Sequence, residues 1–204
     1  MFDGIAVRYD LMNRLFSAGL DMKWRKKTIN LLKKLEPNKI LDMATGTADM
    51  AILSCRLLNP EKVIGIDLSA EMLELGRKKI EKEGFANKIE LLKGDGEAIN
   101  FPDNSFDAVT VAFGVRNFEN LENGLREMLR VLKPGGKLVI LEFSKPNWGF
   151  KNLYNLYMGI VAPEVARWFR QNKDAYRYLN RSSNAFPDRS DFCLLYTSPS
   201  PRDS

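Results

Sequence analysis

The sequence predicts an α/β fold built on a mostly parallel, doubly wound sheet. Short apolar runs alternate along the chain with helical patterns, and two of these runs end in an acid, Asp42 and Asp67. Strands that alternate with helices form parallel sheets with right-handed crossovers. A chain of 204 residues has room for one such domain with a substantial core.

The individual elements follow from the apolar periodicity in chain order. Helical spacing continues to residue 36, and Pro37 ends it. Ser69 is placed as a helix N-cap, and Pro134 begins a Pro-Gly-Gly turn before the last strand. The predicted strands are Lys39–Met43, Lys62–Asp67, Ile89–Lys93, Phe106–Ala112 and 137–143, and the predicted helices are Asp49–Leu58, 70–83, 121–132 and 149–182.

The end of the chain differs from the rest in composition. Residues 193–204, CLLYTSPSPRDS, have no periodicity that could pack against a core. We therefore expect a domain over residues 1–190 and a disordered, non-native tail from residue 193, against the alternative of a natural disordered tail. Sheets of this kind usually continue with a further helix and two antiparallel strands. We expect that these strands are missing from the C-terminus, and that residues are missing before Met1.

Composition excludes several kinds of site. The chain has no histidine and only two cysteines, Cys55 and Cys193, so it lacks the commonest general base and we expect no metal site. No apolar run is long enough to cross a membrane, and a cytoplasmic location is the default. The net charge of +5 is spread over helices, which is typical of solvated helix faces. Contact with an acidic membrane surface or with a nucleic acid is the alternative from charge alone. Among the partners, we expect no nucleic acid.

The segment ILDMATGTAD, residues 40–49, is the strongest functional signal. Among its residues only Gly46 is a glycine, whereas a dinucleotide-binding loop has three, and the carboxylate of Asp42 repels a pyrophosphate. Such a loop suits a ligand with a cationic end, such as S-adenosylmethionine (SAM). Asp67 is then placed to accept hydrogen bonds from both ribose hydroxyls. A plain strand-to-helix turn is the alternative interpretation.

Further candidate residues follow the other strands. Thr47 can offer its hydroxyl and backbone N–H to the carboxylate of the ligand at a helix start. Asp95 can accept from the adenine amine, and Gly96 leaves room for the ring, although Asp-Gly is also an ordinary turn. Arg116 and Asn117, in FGVRNF, follow the fourth strand and are predicted to face the substrate beside the ligand. The alternative is that Arg116 forms an ion pair on the surface. Residues 142–145 are further candidates to line this pocket.

Several segments occur together and in order: YDLMNRLFSAGLDMKW, LDMATGTAD, GIDLSAEML, FPDNSFD, FGVRN, RVLKPGGKLVILEFSKP and AYRYL. Together they resemble the ubiquinone/menaquinone biosynthesis C-methyltransferases of the UbiE/MenG type, which are class I SAM-dependent methyltransferases with a Rossmann-like fold. The resemblance covers about residues 2–192, and it carries the family's SAM contacts over to Thr47, Asp67, Asp95 and Gly96. The sequence departs from the family at Asp21, often a histidine, and at Ala112, often a serine that contacts SAM.

The resemblance implies C-methylation of a polyprenylated quinol, with demethylmenaquinol favoured over a ubiquinone precursor. Arg116 would lower the pKa of the quinol hydroxyl, and Asn117 would orient it. Tyr9 and Asp10, with Asn13, would close over the pocket. Aromatic residues would receive the prenyl chain or simply pack in a core: Tyr154, Tyr157, Trp168 and Phe169.

A lipid substrate implies that the basic N-terminal helix contacts the inner face of a membrane, and a homo-oligomer is also expected. Two other interpretations stay open. The chain could methylate a different small molecule, or it could be a truncated fragment that binds SAM without turnover.

Overall fold

A computed structural model describes residues 19–142, which belong to the compact unit that ends at Glu142. The first α-helix, Asp21–Asn30, is followed by a short 3-10 helix, Lys33–Leu35, and a second 3-10 helix, Val115–Asn117, follows the fourth strand. The strands are β1 (Lys39–Met43), β2 (Lys62–Asp67), β3 (Ile89–Lys93), β4 (Phe106–Ala112) and β5 (Leu132–Leu141), and the α-helices are α1 (Asp21–Asn30), α2 (Asp49–Leu58), α3 (Ala70–Lys82) and α4 (Leu121–Val131).

The five strands form one sheet in the order β3-β2-β1-β4-β5, and every neighbouring pair is parallel. The order reverses between β1 and β4. In open α/β sheets the ligand crevice lies at this reversal, outside the carboxyl ends of the strands. The fold therefore places the crevice where β1 ends at Met43 and β4 ends at Ala112. The predicted class, a Rossmann-like α/β sheet, is confirmed.

Most element boundaries agree with the sequence prediction, but β5 begins earlier than residue 137. Leu132 already pairs with Phe106, and Lys137 pairs with Ala108 after a register shift. The Pro-Gly-Gly segment lies inside the strand as an irregularity, where Gly135 has a φ of +78°. The helical region predicted up to residue 36 is divided: the α-helix ends at Asn30, and the 3-10 helix ends before Glu36, which has left-handed backbone geometry directly before Pro37. Predictions for residues 1–18 and 143–204 lie outside the described residues.

The core explains how the ligand loop is held on the sheet. Strands β1 and β2 are buried almost throughout, and one cluster joins Ile40 and Val63 to apolar residues of α2 and α3. Gly76 of α3 lies on the loop after β1: an added Cβ would be 3.4 Å from the carbonyl oxygen of Gly46. The tighter contact at Gly76 is with the side chain of Leu91 in β3, which an added Cβ would meet at 2.8 Å, so glycine lets α3 pack closely on the sheet. Within residues 19–142 no helix is long and apolar enough to cross a membrane.

Candidate active site

The loop after β1 is shaped by left-handed backbone and by a tie to the next strand. Ala44, Gly46 and Ala48 have φ values of 49°, 56° and 68°. The N–H of Thr45 donates to the carbonyl of Ile66 at 3.0 Å, and the N–H of Ala48 donates to the carbonyl of Thr45 at 2.9 Å. The loop therefore turns tightly at the carboxyl edge of β1 and β2, with the single glycine in the middle of the turn.

Asp42 is a buried carboxylate at the reversal point of the sheet, 1% exposed. Its two oxygens accept from the hydroxyls of Thr45, at 2.6 Å, and Thr110, at 2.7 Å. Burial raises the pKa of Asp42 from 3.8 to about 6, although both hydroxyls and the charge of Arg25 oppose the rise. A cationic ligand group at this position would restore full ionisation. The sequence analysis missed Thr110, a polar residue within an apolar strand.

Asp67 ends β2 and has a different environment from Asp42. It is half-buried, and its oxygens accept backbone N–H bonds from Gly46, at 2.8 Å, and from Ser69, at 2.9 Å. A carboxylate has about four acceptor sites, so two such bonds leave capacity for ribose hydroxyls. Leu68 beside it is 65% exposed, which suits an apolar platform for a flat ring. Sequence reasoning missed Leu68; an apolar residue directly after the acid was the available signal.

Thr47 lies in a polar cluster at the start of α2. Its side chain is largely buried, and Lys79 of α3 donates to its hydroxyl at 3.4 Å. Lys79 also forms an ion pair with Asp49. The hydroxyl that the sequence assigned to a ligand carboxylate is thus engaged with α3, while the helix N-terminus still favours an anion. Sequence reasoning missed Lys79, which is 32 residues away in the chain.

Asp95 and Gly96 lie beyond the end of β3, as predicted for an adenine site. Asp95 is exposed, and its carboxylate accepts from the N–H of Glu97 at 2.9 Å, as in an Asx turn. Gly96 is buried, and an added Cβ would lie 2.7 Å from the ring of Phe118 and 3.0 Å from the methyl of Met43. The absence of a side chain at Gly96 therefore makes room for the ring of Phe118. The predicted contact of Asp95 and Gly96 with adenine stays a prediction.

The loop at Asp95 is tied to the segment that carries Arg116. The carboxylate of Glu97 accepts from the N–H groups of Glu119, at 2.7 Å, and Asn120, at 3.1 Å. The ring of Phe118 also lies against Gly124 of α4, where an added Cβ would be 2.2 Å away. Glycine inside a helix costs about 1 kcal/mol relative to alanine, and here it accommodates the ring.

Arg116 forms a buried ion pair. It lies in the 3-10 helix after β4, and its Nη1 is 2.6 Å from Oε1 of Glu142, at the end of β5. The side chains are 2% and 4% exposed, so the alternative of a surface ion pair is wrong. Asn117 is half-buried on the same turn. Both residues stay predicted catalytic residues, while Tyr9 and Asp10 lie outside the described residues.

The basic run of α1 contains one exception to the predicted solvated face. Lys23, Lys26 and Lys27 are exposed, but Arg25 is only 7% exposed and lies on the buried face of the helix. Its guanidinium carbon is 5.1 Å from the ring centroid of Phe113, directly after β4. Its charge also lowers the pKa of Asp42. The burial of Arg25 was not predicted, because Arg25 lies in a run of basic residues whose lysines are exposed.

The site fits SAM on the observations of the structure. The glycine turn, the half-buried acid at the end of β2 and the buried acid at the reversal point match a nucleoside with a cationic end. These features define a class I SAM-dependent methyltransferase. A solved structure of a putative SAM-dependent methyltransferase from Methanococcus maripaludis shares this fold, with a TM-score of 0.63 at 21% identity over 87% of this chain and 81% of that one.

The sequence matches the ubiE/COQ5 methyltransferase family over residues 1–198, and the chain belongs to that family. A demethylmenaquinone methyltransferase of Bacteroides fragilis is 48% identical over 188 residues, which are 92% of this chain and 77% of that protein. A ubiquinone/menaquinone biosynthesis C-methyltransferase UbiE of Geobacter sulfurreducens is 44% identical over 206 residues, covering 100% of this chain and 80% of that one. SAM is accordingly the methyl donor of this chain.

Proposed function

We propose that this protein transfers a methyl group from SAM to a ring carbon of a prenylated quinol, converting demethylmenaquinol to menaquinol. The observation that carries the proposal is its 48% identity to a protein named demethylmenaquinone methyltransferase over 92% of this chain. The buried Arg116–Glu142 pair beside the cofactor crevice supports it, because a quinol reaction needs a cation that stabilises an oxygen anion.

One set of residues binds SAM, and another set activates the quinol. SAM supplies an electrophilic methyl group on a sulfonium. Asp67 binds the ribose, and Asp42 holds the cationic end of the ligand next to the sheet. These contacts align the donor with the acceptor carbon, and alignment supplies much of the rate in such transfers. Thr47, Asp95 and Gly96 complete the binding loop in this proposal.

Arg116 activates the acceptor. The quinol hydroxyl gives its proton to a solvent water, the guanidinium stabilises the oxygen anion that remains, and electron density rises at the neighbouring ring carbon. As this carbon bonds to the methyl group, the bond from the methyl group to sulfur breaks and S-adenosylhomocysteine is released. The ring carbon then loses its hydrogen as a proton to water, which restores the aromatic ring. The guanidinium does not lose its own proton, and the sequence contains no histidine that could act as a base. Glu142 holds Arg116 in position, Asn117 orients the hydroxyl, and Tyr9 and Asp10 close the pocket.

Methyl transfer to a short-chain demethylmenaquinol, measured by mass spectrometry, tests this proposal. We expect a singly methylated product, and Arg116→Gln should reduce kcat about a hundredfold or more. Arg126→Gln is the matched control, because Arg126 pairs with Glu122 on the surface with both side chains more than two-thirds exposed. Turnover on other phenols but not on quinols would favour another small-molecule substrate. SAM binding without any turnover would favour the inactive fragment.

We further propose that α1 rests on the inner face of the cytoplasmic membrane, where the substrate resides. Trp24 on this helix and Leu31 directly after it are exposed, at 37% and 60%, among exposed lysines at 23, 27 and 34. Such a face suits a lipid surface that carries negative charge. Vesicles with phosphatidylglycerol should retain the protein, and the double variant Trp24→Gln/Leu31→Gln should lose retention. Equal binding to neutral phosphatidylcholine vesicles would contradict an electrostatic contribution.

A further inference from the structure

Arg25 is a buried cation with one donor, Nε, that has no acceptor among the described residues. Its side chain is 9% exposed, and the nearest acidic atom, Oδ2 of Asp21, is 3.8 Å from its Nε, beyond hydrogen-bond distance. Within the described part of the chain, Nε is buried without any acceptor. A buried donor without an acceptor is destabilising, and a bound ligand that accepts its hydrogen bond is one explanation for keeping it.

The position of Arg25 places it at the ligand crevice. The guanidinium lies 5.1 Å from the ring centroid of Phe113, which directly follows β4 and has a φ of +60°. The positive charge of Arg25 lowers the pKa of the buried carboxyl of Asp42, in β1. The cation therefore lies above the ends of β1 and β4, at the reversal of strand order.

The charges of Arg25 and Asp42 together match the amino-acid end of the ligand. Within residues 19–142 the two side chains share no hydrogen bond, because Asp42 is bonded to threonine hydroxyls. A buried cation and a buried anion at the same crevice, not bonded to each other, are complementary to a zwitterion. The amino-acid end of SAM is such a group, with an ammonium next to a carboxylate.

We propose that Arg25 binds the α-carboxylate of SAM while Asp42 faces the neighbouring ammonium. This assignment rests on the cofactor that the family carries and is independent of the quinol substrate. Thr47 is the competing site for the same carboxylate, but its hydroxyl already accepts a hydrogen bond from Lys79. Nε of Arg25 has no such partner among the described residues, and a guanidinium can bind a carboxylate through two parallel bonds.

Calorimetric binding of SAM and of decarboxylated SAM to the full chain separates the carboxylate from the rest of the ligand. Arg25→Gln should weaken SAM binding about ten- to a hundredfold, the range for losing a charge-assisted hydrogen bond. It should leave decarboxylated SAM nearly unchanged, since that ligand retains the ammonium and lacks only the carboxylate. Lys26→Gln is the matched control, because Lys26 is the next residue and is exposed.

Equal weakening of both ligands by Arg25→Gln would overturn the inference and make Arg25 structural. No weakening of either, or a selective loss of SAM in Thr47→Val instead, would also overturn it. Arg25→Lys keeps the charge if the glutamine variant does not fold, and a smaller loss confined to SAM is then expected. A wild-type chain that binds neither ligand would overturn the cofactor assignment together with this inference, whereas failure on quinols alone would leave it intact.

Discussion

The two sides of the crevice are held together by different kinds of interaction. At the ends of β1 and β2, short loops are fixed by backbone N–H groups that donate to Asp67 and by the turn at Gly46. At the ends of β4 and β5, a buried ion pair joins Arg116 to Glu142, 26 residues later. The side that we propose for the cofactor therefore depends on backbone amides that donate to a carboxylate, and the side that we propose for the substrate depends on direct contact between two opposite charges.

The largest expected effect is on the substrate side. Glu142→Gln removes the buried carboxylate that faces Arg116, and loss of one partner of a buried ion pair should lower the free energy of unfolding by about 3–5 kcal/mol. Adding Arg116→Gln should restore part of this loss, because neither side chain is then charged. Urea denaturation measures both changes. Glu122→Gln, in an exposed pair, should cost less than about 1 kcal/mol, and a similar cost for the two single variants would contradict the comparison.

On the cofactor side, Asp42 should make stability depend on pH. Its pKa is about 6 in the folded chain and near 3.8 when unfolded, so the folded state binds the proton more tightly. The contribution of Asp42 to the free energy of unfolding should therefore fall as pH rises from about 4 to about 6, by roughly 3 kcal/mol, and remain low above that range. Asp42→Asn should remove this slope, as measured by urea denaturation at several pH values, and should weaken SAM binding. An unchanged slope would show that Asp42 titrates normally.

The contact of Phe118 with Gly124 should give an intermediate effect. Alanine is the better helix former by about 1 kcal/mol, yet Gly124→Ala places a Cβ 2.2 Å from the ring. We expect a net loss of about 1–2 kcal/mol from overpacking. In a Phe118→Ala background the same change should be neutral or stabilising, which thermal unfolding can measure. Stabilisation by Gly124→Ala alone would show that the ring moves aside freely.

The smallest effect should come from Glu97, which links the two sides. Glu97→Ala removes the acceptor for the amides of Glu119 and Asn120 and should cost about 1 kcal/mol. Hydrogen exchange at these two amides should become faster. Exposed Glu119→Ala is the control that should leave exchange at Asn120 unchanged. Unaltered exchange in the Glu97 variant would mean that the two loops are held independently.

Local patterns in the sequence were sufficient for most of the fold. The bounds predicted for β1 to β4 and α2 agree with the structure, and Ser69 caps α3 by accepting from the N–H of Met72 at 3.3 Å. These features depend on neighbours in the chain. The start of β5 was predicted wrongly, because the Pro-Gly-Gly segment that forms a turn in isolation here continues a strand paired with β4.

The sequence by itself determined the fold class, the cofactor loop and the family resemblance, because each depends on short patterns of neighbouring residues. Only the tertiary structure decided which charges are buried and what they meet. In the structure Arg25 is buried, whereas its lysine neighbours are exposed. Thr110 donates to Asp42 across 68 residues, and Arg116 forms a buried ion pair with Glu142. The physical reason is that burial and electrostatic pairing depend on packing between strands distant in sequence, which no local pattern specifies.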